Sequence, residues 1–136
     1  MKRIMVDMSA TLIHHGHIRL LKKASEFGSV IVALTTDEEI KNKKKFNPEL
    51  DYSQRKEIIS SIKYVDEVVP SPWLITTKFL DQHNVDLLVH GEDNSNPIEK
   101  NRLLILPRTK FISSSILRQR AKLSFEQIND LDSLNS

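Results

Sequence analysis

Three of the chain's five histidines fall within four residues, His14-His15-Gly16-His17. His14 and His17 are three apart, so in the first turn of a helix their imidazoles share a face. A helix N-terminus offers unpaired backbone N–H groups and the positive end of the helix dipole, a setting that suits a phosphate. Gly16 removes a side chain where a ligand would approach the backbone closely. Two blander readings stand beside this one, an incidental surface cluster and a metal site. Zinc needs a third protein ligand; His83 and His90 lie elsewhere in the sequence, and the chain has no cysteine.

A second group runs Arg108-Thr109-Lys110-Phe111-Ile112-Ser113-Ser114-Ser115. An arginine there can fork onto phosphate oxygens. The three hydroxyls after it can cap a helix and present donors at its start, although serine-rich caps are more often purely structural. The third group is basic: Lys41, Lys43, Lys44 and Lys45, with Arg55 further on. A lysine run is usually a solvated face, but one member can reach over a bound triphosphate.

These groups need a frame. Residues 3–6 form a short apolar run that predicts a buried strand. Over residues 15–27, Ile18, Leu21 and Ala24 recur three apart with Leu20 beside them. Arg19, Lys22, Lys23 and Glu26 face away, and Gly28 reads as the helix stop. Residues 29–36 (SVIVALTT) are nearly all apolar or β-branched, the signature of a strand covered on both faces. Asp37 then caps a helix over DEEIKNKK. After a break at residues 47–50, Asp51 or Ser53 caps a helix with Ile58, Ile59 and Ile62 on one side.

Further strands are expected at 65–69, ended by Pro70 and Pro72, at 85–89, and at 103–106. A helix over 74–83 separates the first two, and Gly91 opens a polar loop, GEDNSNPIEKN, before the third. One helix starts among Ser113–Ser115 and a second from Ser124; the last dozen residues are polar and expected to fray. Alternating strands and helices at this spacing predict an α/β fold, a Rossmann-like three-layer sandwich on a five-stranded parallel sheet. In such a sheet the ligand sits beyond the carboxyl ends of the strands, where the strand order reverses.

Composition narrows the rest. At 136 residues, 39% hydrophobic and 28% charged, the chain reads as one domain over residues 1–136. Twenty basic against eighteen acidic residues leave +2, too little for the clustered basic footprint of a nucleic-acid binder. No apolar run approaches the ~18 residues of a membrane span. Met1-Lys2-Arg3 leads into only a few apolar residues before Asp7, so no signal peptide is expected and a cytoplasmic location is.

Taken in order, H-x-G-H at 14–17, RKEII at 55–59, KYVDEVVP at 63–70, the Gly91-Glu92-Asp93 loop and RTxxISSS at 108–115 resemble the cytidylyltransferase-like nucleotidyltransferase family. The likeness runs from the first strand to about residue 121 and is nearest to the glycerol-3-phosphate branch. The VDM opening is similar to domains acting on phosphonates. The resemblance implies that His14 and His17 contact a triphosphate and stabilise the transition state, with Lys44, or Lys45 in its place, reaching the phosphates from a loop. It further implies nucleotide contacts from Met8, Ser9, Gly16, Lys63, Gly91, Asp93, Arg108, Thr109, Ser113 and Ser114. Within that set, Arg108, Ser113 and Ser114 hold the outer phosphates and Asp93 lies near the base.

The same resemblance implies transfer of CMP from CTP to a small phosphorylated or phosphonylated alcohol, with Mg²⁺ carried by the substrate, no metal site on the protein, and a homodimer. An ATP-using relative and a nucleotide-binding module without turnover are the alternatives. The chain departs from the family where Met8-Ser9-Ala10-Thr11 replaces Gly-Thr-Phe-Asp, where Lys63 replaces arginine, and where Phe111 replaces glycine.

Overall fold

The computed structural model describes residues 1–128. In chain order the elements are β1 (Arg3–Met8), α1 (His15–Ser25), β2 (Ser29–Thr35), α2 (Asp37–Lys44), α3 (Tyr52–Ser60) and β3 (Glu67–Ser71). Then come α4 (Thr77–Gln82), β4 (Leu87–His90), a 3-10 turn at Lys100–Arg102, β5 (Leu103–Ile105) and α5 (Ser114–Gln127). The five strands form one parallel sheet in the order β3-β2-β1-β4-β5. The chain builds outward from β1 to β3, then returns to the other side of β1. The order therefore reverses between β1 and β4, and a crevice opens at their carboxyl ends.

The apolar runs of β1 and β2 are explained by two cores. Ile4, Val6, Val30, Val32 and Leu34 pack with Leu21 and Ala24 of α1 and Ile59 of α3. Met5, Ile31, Ala33, Val69 and Leu88 pack on the opposite face with Phe79 and Leu80 of α4. Alternate residues of one strand serve alternate faces, so a strand covered on both sides loses its polar positions. The expected three-layer Rossmann-like architecture is what the chain adopts.

Several local expectations are corrected. Thr36, not Asp37, caps α2, accepting from Glu39 N–H at 3.3 Å, because Asp37 is turned toward Arg55. Asp51 caps α3 in a reciprocal box with Gln54, while Ile58 stays 42% exposed. Helix α1 ends at Ser25 with Glu26 as its cap, short of Gly28. Strand β3 runs two residues later than expected and includes Pro70, which an edge strand tolerates because its missing N–H faces away from the ladder. Helix α4 is shorter than the 74–83 pattern. Ser124 starts no second helix; it lies inside a continuous α5. The expected fraying of the last dozen residues falls mostly outside the described residues.

Candidate active site

A cavity of about 670 Å³ opens at the switch point, within the usual range for a small-molecule site. The β1–α1 loop, the N-terminus of α1, the end of α2, the loops after β3, β4 and β5, and the start of α5 supply its walls.

His14 is the N-cap of α1 and His17 its third residue. His14 Nδ1 accepts a hydrogen bond from Gly16 N–H at 3.1 Å, and His17 Nδ1 accepts one from His14 N–H at 3.1 Å. Two imidazoles thus do what serine and glutamate do in an ordinary capping box. A ring whose Nδ1 accepts from the backbone keeps its proton on Nε2 when neutral. Burial, then the neighbouring His14 and Arg108, pushes His17 down to about 4. Burial, His15 and Arg108 lower His14 as well. At neutral pH each ring is an uncharged Nε2–H donor beside a helix N-terminus, able to receive an oxyanion. His15 is exposed and outside the cavity lining.

Gly16 borders the cavity and also serves the cap. A Cβ there would lie 2.9 Å from His14 Cε1 and Nδ1, so the glycine makes room for the capping imidazole. Gly91 is similar: a Cβ would come within 2.9 Å of Arg108 Nε and 3.1 Å of Asp93 Oδ1.

Most of the expected residues meet in this cavity: His14, His17, Lys44, Met8, Ser9, Gly16, Gly91, Asp93, Arg108, Thr109, Ser113 and Ser114 all line it. Lys63 does not. It is exposed, outside the lining, with its ammonium 5.3 Å from the Tyr64 ring, because α3 has ended and the chain is turning toward the edge strand. Lys44 sits in the last turn of α2 instead of a loop, its ammonium 5.5 Å over Trp73. Lys45 is turned away in a left-handed cap and bonds Asn42 O at 2.7 Å.

Two hydroxyls expected to hold phosphate have structural partners. Ser113 caps α5 by accepting from Ile116 N–H at 3.0 Å. Ser114 both donates to Leu12 O, at 2.9 Å, and accepts from Leu12 N–H, at 3.2 Å; what it has left for a ligand is its backbone N–H.

Sequence reasoning missed other residues here. Arg19 and Lys23 of α1, assigned to the outer face, line the cavity, as do Trp73 and Arg118. Asp7 and His90, facing each other from β1 and β4, form a 2.6 Å pair that Asn96 joins at 3.2 Å. Burial alone would lower His90, but the hydrogen bond and charge of Asp7, with Asp93 adding, raise its pKa above the ordinary value. Arg108 bonds the other side of Asp93 at 2.6 Å. Arg55, expected only as part of a basic stretch, is fully buried. Its guanidinium donates to the carbonyls of Ser9, Thr35 and Leu50 and to Asp37 at 2.6–3.0 Å, tying the ends of β1 and β2 to α2. A buried arginine inside a helical pattern leaves no periodic signal.

Comparison with known proteins agrees with this geometry. The Cytidylyltransferase-like family model matches residues 9–120. A glycerol-3-phosphate cytidylyltransferase of Staphylococcus aureus is 39% identical over 127 residues, spanning 88% of this chain and 94% of that protein. That of Bacillus subtilis is 34% identical over 88% of this chain and 96% of its own. An ethanolamine-phosphate cytidylyltransferase of Mus musculus is 41% identical over 67% of this chain but only 23% of its own length. A crystal structure described as a lipopolysaccharide core biosynthesis protein of Thermoplasma volcanium shares the fold, with a TM-score of 0.69 at 20% identity over 80% of this chain and 98% of that one.

Proposed function

The chain belongs to the cytidylyltransferase-like family, and from that premise we propose that it transfers CMP from CTP to a small phosphorylated or phosphonylated alcohol. The observation that carries the reading is the pair of neutral, mutually capped imidazoles at the N-terminus of α1, in one cavity with Lys44 and Arg108. The likeness to glycerol-3-phosphate cytidylyltransferases over 88% of the chain supports an acceptor of that size.

In this mechanism an oxygen of the acceptor phosphate attacks the α-phosphorus in line, the bond to the bridging oxygen breaks, and pyrophosphate leaves. Such a reaction needs positioning and charge stabilisation more than covalent help. His14 and His17 donate from Nε2 to the α-phosphate and bridging oxygen, where charge develops. Lys44 and Arg108 bind the outer phosphates, with Arg108 exchanging its bond to Asp93 for phosphate oxygens, and the N–H groups opening α5 add donors. Among the described residues no three His, Cys, Asp or Glu side chains are grouped as a metal cage. A Mg²⁺ ion borne on the triphosphate would need few protein ligands. Bound there, it would offset phosphate charge.

Among the described residues no helix is long and apolar enough to cross a membrane; we assign the reaction to the cytoplasm, where CTP is supplied. We further propose a homodimer, its contact including the face beside the short β3 edge. Light scattering giving a ~16 kDa monomer at micromolar concentration would remove that part of the proposal.

One screen tests the reaction. Pyrophosphate release is measured with CTP, ATP, GTP or UTP, Mg²⁺, and glycerol 3-phosphate, phosphocholine, phosphoethanolamine or hydroxyethylphosphonate. Release that requires CTP and one of these acceptors is expected. A preference for ATP, or CTP binding without release across the panel, would contradict it.

A further inference from the structure

Helix α5 closes one side of the cavity, yet none of its residues is fully buried. Unlike α1 and α4, it is held by polar anchors on one face. Ser114, at its start, grips the backbone of Leu12 through both hydroxyl bonds. One turn on, Arg118 donates from a terminal nitrogen to Thr11 Oγ1 at 2.5 Å, on a side chain only 5% exposed. The same guanidinium forks onto Glu49, with 2.8 Å from Nη2 to Oε1 and a second bond from Nε to Oε2. Its central carbon lies 4.5 Å from the centre of the Phe46 ring. One side chain therefore joins two segments distant in sequence. Thr11 lies three residues before His14, and Phe46 two residues after Lys44.

We propose that Arg118 is a positioning residue for nucleotidyl transfer: it fixes the segment leading into His14 against the segment leaving Lys44. This rests on the function proposed above. An exposed ion pair alone contributes little. This arrangement differs because the planar fork, the stacked ring and the buried hydroxyl are all satisfied at once, which a lysine cannot do. Although Arg118 borders the cavity, its charge is matched by the Glu49 carboxylate. It acts by holding geometry, since its bonds to Thr11 and to both oxygens of Glu49 would all have to break before it reached a triphosphate, whereas Arg108 has one bond to Asp93 to exchange.

The test combines steady-state kinetics with imidazole ¹⁵N spectra of the folded full chain. Arg118→Met is expected to lower kcat ~10–100-fold, the scale of a misplaced catalytic group, with the KM for CTP changing far less. Glu49→Gln should lower kcat in the same sense, and the double variant should be no worse than Arg118→Met, since the two residues act as a unit. Arg118→Lys should fall between. In the spectra, Arg118→Met should replace the single Nε2–H tautomer of His14 and His17 by a mixture. A raised KM with unchanged kcat would overturn the proposal in favour of direct phosphate binding, and so would wild-type kinetics in Glu49→Gln. Unchanged imidazole signals with a lowered melting temperature would make Arg118 merely structural and overturn it as well. If the unaltered chain releases no pyrophosphate, the proposed function fails; the imidazole spectra still decide the role of Arg118.

Discussion

His17 accepts a hydrogen bond from the backbone N–H of His14 at 3.1 Å, and the two imidazoles lie 4.0 Å apart, tilted by 36°. The contact requires His17 Nδ1 to be unprotonated, and the reciprocal bond from Gly16 requires the same of His14. Two charged rings at this distance would repel each other and lose both caps. The helix start is thus built to hold neutral donors.

Gly16→Ala tests that geometry without touching an imidazole. Its Cβ would meet the His14 ring at 2.9 Å, so His14 must leave the cap. Loss of an N-cap costs about 1 kcal/mol, and a displaced catalytic donor ~10–100-fold in turnover. Thermal melts and kcat should therefore show a modest loss of stability beside a large loss of rate.

Stability should respond to pH in two windows. His17 titrates at about 4 in the folded chain against 6.5 unfolded, so the unfolded state holds the extra proton between those values. Stability falls as pH drops from 6.5 toward 4. His90 is shifted upward, so the folded state holds the extra proton above 6.5. The stability its pair with Asp7 contributes is present below 6.5 and lost as pH rises through the raised value. Melting temperature against pH should lose part of its acid slope in His17→Asn, the remainder belonging to the likewise lowered His14, and should lose its slope above 6.5 in His90→Asn.

Arg55→Met removes a buried guanidinium from three carbonyls and Asp37. Each carbonyl left buried without its donor costs about 1–3 kcal/mol, while Asp37, 41% exposed, keeps access to water. A urea midpoint within error of the unaltered chain would mean that these bonds do not hold the strand ends.

Much of this was legible from spacing. The runs at β1 and β2, the helix opened by His14 and the cap at Ser113 all arise from patterns a few residues long. What escaped depends on contacts distant in sequence. Arg55 and Arg118 look like surface cations until Ser9 and Thr11 come to meet them across the fold. Arg19 and Lys23 lie on the polar side of α1 as expected, but that side borders the cavity. The expectation for Lys63 rests on its place in a motif, and position in a motif does not say which way an edge-strand approach turns.

Arg108→Ala should weaken CTP more than cytidine, because the lost contact is a charge-assisted phosphate bond. Asp93→Asn, which releases Arg108 from its 2.6 Å partner, should leave that preference for the triphosphate intact. Equal losses for CTP and cytidine in Arg108→Ala, read by calorimetry, would make the arginine structural.

The central claim is that neutral imidazoles at the start of α1 stabilise charge in a cytidylyl transfer, and paired turnover measurements on His17→Ala and His15→Ala test it most directly. Removing a donor aimed at developing charge typically costs about a hundredfold to a thousandfold in rate. With CTP, Mg²⁺ and the acceptor found by the screen, His17→Ala should lose kcat on that scale while CTP affinity changes much less. His15, exposed and outside the cavity, should tolerate alanine. An active His17→Ala chain, or the opposite ranking of the two variants, would contradict the mechanism.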